Sequence, residues 1–321
     1  MTVALLFSPQ GSQSVGMGRE LAEASPAAAA VFQAADAALG WAVSTLAWEG
    51  PEELLNDTRQ TQPCLVATSV ACLRALEEEL ARHGERLAPV FVAGHSVGEY
   101  AALVAAGSLS VADAVKLVAQ RGALMAGARV RGGMVAVIGL DRAAVAAVVA
   151  SLNAGPDLVV ANDNAPGQIV ISGTPAATAA ASDPLRAAGA RLLIPLNVSG
   201  PFHSPLMAGL GTQLARSLRA ATWRDADPPV VSNVTAEPVR DAAEIRGLLA
   251  RQVRSPVEWV RSVQLMVAEG VDTFVECGPG GALTGMVRRI APEAQILTVF
   301  DSESLSESSS DLLATDVGVA V

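Results

Sequence analysis

The chain has 321 residues, 51% of them hydrophobic and 17% charged, a composition typical of a globular protein with a sizeable core. Its formal net charge of -10 argues against nucleic acid or an anionic membrane as the main partner. Cys64, Cys72 and Cys277 are far apart and lack metal-ligand spacing, which favours free thiols in a reducing compartment and no metal site. The N-terminus lacks a basic signal region and no apolar run approaches the length of a membrane span, so we expect a cytoplasmic protein.

Short apolar runs alternate with helical patterns in the first third of the chain, which predicts a parallel sheet covered by helices. The predicted elements are a strand at 3–7, helices at 25–39 and 62–84, a strand at 89–94 and a helix at 97–107. Ser110 and Asp113 then form a capping-box pattern that opens another helix.

Residues 134–198 have a different pattern, which predicts the order β-α-β-β-α-β of a ferredoxin-like unit. We therefore expect a small subdomain at 130–198, inserted into a larger one made of residues 1–129 and 199–300. The Ser-rich, acidic segment 301–321 is expected to be a mobile tail.

Ser96 lies in the sequence Gly94-His95-Ser96-Val97-Gly98, between a predicted strand and a predicted helix. This context is typical of a nucleophile elbow, which exposes the serine at a helix N-terminus. There the backbone amide of Val97 could donate to a developing oxyanion. The alternative is a glycine-lined turn with a helix-capping serine.

A serine nucleophile needs a base, and the chain has only three histidines. His83 lies in a polar loop, and the side chain of His95 should diverge from that of its neighbour, which leaves His203. The alternative for His203 is a capping or core histidine. Neither Asp272 nor Asp301 has a convincing context as the acid of a triad, which disfavours a standard α/β-hydrolase and permits a backbone carbonyl to orient the histidine.

Arg121 falls on the apolar stripe of the helix that starts near Val111, in line with Leu117 and Leu124. A guanidinium there could reach outward to solvent or pair with an internal carboxylate. The third possibility is that it holds a substrate carboxylate in a bidentate fork near the serine.

Eight motifs in this order resemble the malonyl-CoA:acyl-carrier-protein transacylases over about residues 3–298. They are FSPQGSQSVGMG, TQPCLVATSVA, AGHSVGEYAALVAAG, VKLVAQRGALM, NDNAPGQIVISG, VSGPFHSPLM, RQVRSPVEWVRSV and ECGPGGALTGMVRRI. The resemblance implies an α/β-hydrolase-like parallel-sheet subdomain with a ferredoxin-like (βαββαβ) insert. It also implies that Ser96 is the nucleophile, that His203 is the catalytic histidine and that Arg121 grips the malonyl carboxylate.

The resemblance assigns further roles to backbone groups. The amides of Gln10 and Val97 would form the oxyanion hole, and the carbonyl of Gln252 would orient the histidine. Pro9 departs from the family's P-G-Q-G-S-Q loop by replacing a glycine, which fixes φ and removes one donor.

The function implied is ping-pong transfer of malonyl from malonyl-CoA to an acyl carrier protein for fatty-acid synthesis, by a monomer without a cofactor. An acidic carrier would dock on late arginines, namely Arg251, Arg254, Arg261, Arg288 and Arg289, each of which could equally lie on a solvated helix face. Phe202 would crowd the α-carbon and disfavour methylmalonyl. The alternatives are a transacylase of polyketide assembly or malonate decarboxylation, a serine acyl hydrolase, and a non-catalytic docking or acyl-sensing protein.

Overall fold

The computed structural model describes residues 1–128 and 130–314. The strands are β1 Val3–Phe7, β2 Phe91–Gly94, β3 Gly133–Ile138, β4 Leu158–Ala165, β5 Gln168–Gly173, β6 Leu192–Pro195, β7 Val230–Val231, β8 Pro238–Val239, β9 Thr273–Cys277 and β10 Gln295–Val299. The α-helices are α1 Arg19–Ala24, α2 Pro26–Leu39, α3 Val43–Glu49, α4 Glu52–Leu55, α5 Thr58–Arg82, α6 Gly98–Ala105, α7 Val111–Ala126, α8 Arg142–Ser151, α9 Pro175–Ala187, α10 Ala208–Ala220, α11 Ala242–Gln252, α12 Trp259–Ala268, α13 Ala282–Ile290 and α14 Ser302–Ala314.

Six strands form the larger sheet, in the order β10-β9-β1-β2-β7-β8. All neighbouring pairs are parallel except β7 and β8. The central strand β1 is buried along its whole length, as expected for a strand covered on both faces. Leu5 belongs to the buried cluster that includes residues of α2, α5 and α7, whereas Leu6, on the other face, belongs to the cluster that includes Trp259 of α12. Helices on both faces therefore fix the strand ends that carry the site.

Four strands form a separate antiparallel sheet, in the order β4-β5-β3-β6. Val137 and Ile171 of this sheet pack against Val145 of α8 and Leu185 of α9 in their own core. The chain order within this part is β-α-β-β-α-β, apart from a short 3₁₀ turn before β4. The predicted α/β architecture, a parallel sheet with a separate antiparallel sheet, is confirmed.

The helix predicted at 62–84 begins earlier, at Thr58, because the Asp57 side chain caps it by accepting a hydrogen bond from the amide of Arg59. The capping box of α7 is present: the amide of Asp113 donates to Oγ of Ser110, which donates to the Asp113 carboxylate. Among the described residues, no helix is both long and apolar enough to cross a membrane.

The prediction of a mobile tail from residue 301 is wrong for residues 302–314, which form α14. Asp301 accepts a hydrogen bond from the amide of Ser304 and caps the helix, and Leu312 is buried in the main core. Ser308 donates to the carbonyl of Thr298 in β10. The many serines concealed an amphipathic helix, because several of them are buried and hydrogen-bonded rather than solvated. Residues 315–321 of the predicted tail lie outside the described part.

Candidate active site

Ser96 lies on the tight turn between β2 and α6, with a φ of 54°. Non-glycine residues rarely adopt this left-handed conformation, which costs about 1–3 kcal/mol. The flanking glycines are required by close packing. A Cβ on Gly98 would lie 2.2 Å from the carbonyl oxygen of Phe7, and one on Gly94 would lie 2.0 Å from the backbone of Gly98. The turn is therefore pressed against the end of β1, and this packing exposes the serine hydroxyl at the start of α6.

His203 lies within hydrogen-bond distance of this hydroxyl, with 2.9 Å between its Nε2 and Oγ of Ser96. Its other ring nitrogen, Nδ1, lies 3.0 Å and 3.2 Å from the carbonyl oxygens of Gln252 and Ser255. Because carbonyl oxygens only accept, Nδ1 carries the proton and Nε2 presents its lone pair to the serine. The imidazole is thus held in the tautomer that can remove a proton from Oγ.

The backbone of His203 is also held by the end of α11, because its amide donates to the carbonyl of Val253. The residue has a φ of 55°, so both members of the Ser–His pair occupy the left-handed region. Burial, together with the nearby positive charge of Arg121, lowers the pKa of His203 to about 3. The ring is therefore neutral at physiological pH, as a general base must be.

Arg121 on α7 is 1% exposed, and its guanidinium reaches the same serine. Nη2 donates to Oγ of Ser96 over 3.0 Å and to Oε1 of Gln252 over 3.1 Å, while Nη1 donates to Oε1 of Gln62 over 2.9 Å. Within the described residues no carboxylate lies in ion-pair range of this guanidinium. Burial lowers the pKa of Arg121. The side chain therefore does not face solvent, and it forms no direct ion pair within the described residues, although the buried Glu99 lies close enough for its charge to act on the pKa of Arg121.

Gln252 contacts the pair through its side chain as well as its backbone. Nε2 donates to the carbonyl oxygen of Ser96 over 2.9 Å and to the Glu99 carboxylate over 2.7 Å. Since both of those partners accept, the amide orientation is determined, and Oε1 is left to accept from Arg121. From the resemblance, only the backbone carbonyl of Gln252 was expected to contribute to the site.

Glu99 and Asn233 were both missed from the sequence. Glu99 lies three residues after Ser96 and is 3% exposed, and burial raises the pKa of its carboxyl to about 7. Asn233 follows β7 and is fully buried, and its Oδ1 accepts a hydrogen bond from the amide of Ser96 over 2.6 Å. Only the helical spacing of Glu99 from Ser96 could have indicated a shared face.

A cavity of about 350 Å³ opens onto the serine and the histidine. Pro9, Gln10 and Phe202 are among the residues that line it. The Gln10 side chain donates to Oγ1 of Thr58 over 3.1 Å. Val97 is the N-cap residue of α6. The backbone amides of Gln10 and Val97 donate to no acceptor in the described part of the chain, so both are available to a bound group.

His95 points away from the pair, as expected for the neighbour of an exposed serine. Its Nε2 lies 2.8 Å from Oδ1 of Asn164 on β4, and its ring packs edge-on against Trp259. Burial lowers its pKa to about 4. His95 therefore joins the turn to the antiparallel sheet.

The five late arginines are all exposed. Arg289 donates to Oε1 of Gln168 and to the carbonyl of Pro166, which leaves it less available to a partner. Arg251 and Arg254 flank Gln252 at the end of α11, directly beside the histidine's carbonyl partner. These two positions are the ones closest in sequence to the site.

The chain is similar to known acyl transferases over almost its whole length. Residues 4–302 match the family model described as an acyl transferase domain. The chain is 44% identical over 306 residues to a malonyl CoA-acyl carrier protein transacylase of Bacillus subtilis, covering 94% of this chain and 95% of that one. The structure superposes with a TM-score of 0.92 on the malonyl CoA-acyl carrier protein transacylase of Coxiella burnetii, 36% identical, covering 97% and 98% of the two chains. It superposes with a TM-score of 0.90 on a malonyl-transacylase solved in complex with its type II polyketide synthase acyl-carrier protein, 38% identical, covering 97% and 100%. The chain therefore belongs to the acyl transferase domain family.

Proposed function

We propose that this enzyme transfers the malonyl group of malonyl-CoA to the phosphopantetheine thiol of an acyl carrier protein, through a malonyl ester on Ser96. One observation carries the proposal: Oγ of Ser96 lies between the basic nitrogen of His203 and the buried guanidinium of Arg121, which forms no direct ion pair within the described residues. The first group activates a nucleophile, and the second is suited to an acyl group that ends in a carboxylate. The relatives named above are transacylases for this substrate.

In the first half-reaction His203 accepts the proton of Ser96 at Nε2 as Oγ attacks the malonyl thioester carbon. The tetrahedral intermediate collapses, the C–S bond breaks, and the CoA thiolate takes the proton back from His203. The carbonyl of Gln252, bound to Nδ1, stabilises the transient imidazolium in the place of a triad acid.

The amides of Gln10 and Val97 would bind the oxyanion of that intermediate. Their lack of internal acceptors within the described chain supports this role, and such donors typically contribute about 3 kcal/mol each to the transition state. Pro9 removes one donor from the loop but leaves the amide of Gln10 in place. The proline therefore restricts the loop without abolishing the proposed oxyanion hole.

Arg121 would exchange its hydrogen bond to Oγ for a fork on the free malonyl carboxylate. This exchange gives the buried charge a carboxylate partner in the acyl-enzyme and selects malonyl over acetyl. Phe202 is buried beside the histidine and lines the cavity, which supports a role in crowding a branched α-carbon.

In the second half-reaction the carrier thiol gives its proton to His203 and attacks the ester carbon. A C–S bond forms, the bond from that carbon to Oγ of Ser96 breaks, and His203 returns the proton to Oγ. Arg251 and Arg254 would meet the acidic carrier beside the cavity. The proposed steps use side chains, backbone groups and the two thiols, without a bound cofactor. We expect the enzyme to act as a monomer in the cytoplasm.

We further propose that the two sheets belong to two subdomains. The six-stranded sheet with residues 1–129 and 199–300 would form an α/β-hydrolase-like subdomain. The antiparallel sheet, within 130–198, would form its ferredoxin-like insert. The chain order of β3 to β6 supports this division.

Incubation of the enzyme with malonyl-CoA and a phosphopantetheinylated carrier protein tests the proposal. We expect malonyl-carrier to form with release of CoA, faster than free malonate appears. Malonate release that is independent of carrier and faster than transfer would identify a hydrolase instead.

A further inference from the structure

The turn that carries Ser96 is held by side-chain hydrogen bonds of Asn233, a residue that the proposed chemistry does not use. Asn233 accepts from the amide of Ser96 over 2.6 Å and donates from Nδ2 to the carbonyl of Gly94 over 2.7 Å. Both ends of one side-chain amide therefore bind the turn that carries the nucleophile. Asn233 itself is fully buried.

Asn233 is in turn fixed from the other side. Its backbone amide donates to the Glu99 carboxylate over 3.3 Å, and its backbone carbonyl accepts from the amide of Glu258. The orientation of its side-chain amide is determined, because Ser96 offers a donor and Gly94 offers an acceptor. The side chain thus has one arrangement that satisfies all of its partners.

The turn needs such support because Ser96 is in a strained conformation, with a φ of 54°. Residues in this region persist only where their surroundings hold them there. The bond to Asn233 also engages the amide of Ser96, so that the amide of Val97 is the next one free at the start of α6. The contact with Asn233 thus bears on both the direction of Oγ and which amide at the start of α6 is left without an acceptor among the described residues.

We propose that Asn233 is a positioning residue for the nucleophile, which holds Ser96 in its left-handed conformation so that Oγ faces His203 and the amide of Val97 stays free of internal acceptors within the described chain. The inference rests on the proposed role of Ser96. It predicts that loss of Asn233 slows every reaction of Ser96, whichever group is transferred, while malonyl-CoA still binds.

The test uses Asn233→Ala in the full-length protein, with Ser232→Ala as the matched control. Ser232 is buried in the same loop, and its Oγ accepts from the amide of Val234 rather than contacting the nucleophile. Two rates are measured by intact mass well below the melting temperature: malonylation by malonyl-CoA and sulfonylation by phenylmethanesulfonyl fluoride, which has no carboxylate. Malonyl-CoA affinity is measured by calorimetry with Ser96→Ala added to each variant.

We expect Asn233→Ala to lower both rates at least tenfold, with affinity within about threefold of the parent, and Ser232→Ala to leave all three quantities within about threefold. Wild-type rates in folded Asn233→Ala would overturn the inference, because the residue would then serve stability alone. A fall in malonylation with unchanged sulfonylation would also overturn it.

If Asn233→Ala does not fold, Asn233→Asp makes the same comparison. Its carboxylate keeps an acceptor for the amide of Ser96 but places a second oxygen against the carbonyl of Gly94. Absence of any malonyl adduct at Ser96 in the wild type would instead contradict the proposed function.

Discussion

The guanidinium of Arg121 donates a hydrogen bond to Oγ of Ser96, 3.0 Å away, from a position that is 1% exposed to solvent. A buried arginine with no carboxylate in ion-pair range among the described residues is costly for the unliganded protein. Its presence beside Ser96, the proposed nucleophile, is explained if the substrate supplies a carboxylate partner. The proposal therefore makes Arg121 the determinant of acyl-group choice.

Replacing Arg121 with alanine should lower kcat/KM for malonyl-CoA about a hundredfold, as expected for loss of a charged hydrogen-bonded pair. The ratio of acetyl to malonyl transfer should rise, because acetyl never used the contact. Arg121→Lys should recover little, since an ammonium cannot form the planar fork. Steady-state rates on both thioesters measure the ratio, and an unchanged ratio would refute this role.

Replacing His203 with glutamine should lower the rate of malonyl-enzyme formation by about 10²- to 10⁴-fold, which is the usual contribution of a general base. Quenched-flow measurement of the acyl-enzyme gives this rate directly. Binding of malonyl-CoA should change little, because the His203 ring contacts Oγ of Ser96 and is not proposed to contact the malonyl carboxylate. A variant within tenfold of the wild-type rate would contradict the assigned base.

The pKa of His203 predicts a pH dependence of stability. It is about 3 in the folded protein and 6.5 in the unfolded chain, so below pH 6.5 the unfolded state binds a proton that the folded state does not. The stabilisation associated with neutral His203 is therefore complete above pH 6.5 and decreases as the pH falls towards 3. Relative to His203→Gln, the wild type should lose about 1 kcal/mol of unfolding free energy per pH unit in this range. Urea unfolding of both proteins at pH 7.5, 6 and 5 measures the difference, and parallel pH profiles would contradict a buried neutral ring.

Gly98→Ala should destabilise the protein by about 3 kcal/mol or more. The new methyl group would lie 2.2 Å from the carbonyl oxygen of Phe7, and a backbone atom cannot swing aside as the end of a side chain can. Gly285→Ala in α13 is the control: its added methyl group meets nothing within 4 Å, and it should stabilise by up to about 1 kcal/mol through helix propensity. Denaturant midpoints measure both changes. Equal effects would show that the turn is not closely packed against β1.

Reversing the charge of Arg251 and Arg254 to glutamate should slow transfer to the carrier at least tenfold at low salt, and the defect should shrink as ionic strength rises. Malonyl loading from CoA should be unaffected by this change. Lys116→Glu makes the same type of charge change on an exposed part of α7 and serves as the control. Equal carrier kinetics for all variants would place the docking surface elsewhere.

Much of this site was predictable because its main side chains are unusual in their sequence context. Ser96 lies in a strand–turn–helix pattern, His203 is the one histidine of three left without another explanation, and Arg121 interrupts an apolar stripe. Each of these signals is local, and the structure brings all three residues together.

The supporting residues carry no such signal. Asn233 is 137 positions from Ser96, and it reaches the turn only because β7 pairs with β2 in the sheet. The side chain of Gln252 likewise contacts the turn across 156 positions. Helical periodicity could have placed Glu99 on the same face as Ser96. A single charged residue in an otherwise apolar helix, however, does not indicate which partner it contacts.

The most direct test of the account is the intact mass of the enzyme after brief incubation with malonyl-CoA, for wild type and Ser96→Ala. We predict that the wild type gains the mass of one malonyl group, that peptide mapping places it on Ser96, and that adding a phosphopantetheinylated carrier removes it to the carrier. Ser96→Ala should gain nothing. A wild-type enzyme without the adduct, or an equal adduct on Ser96→Ala, would contradict a malonyl-serine intermediate.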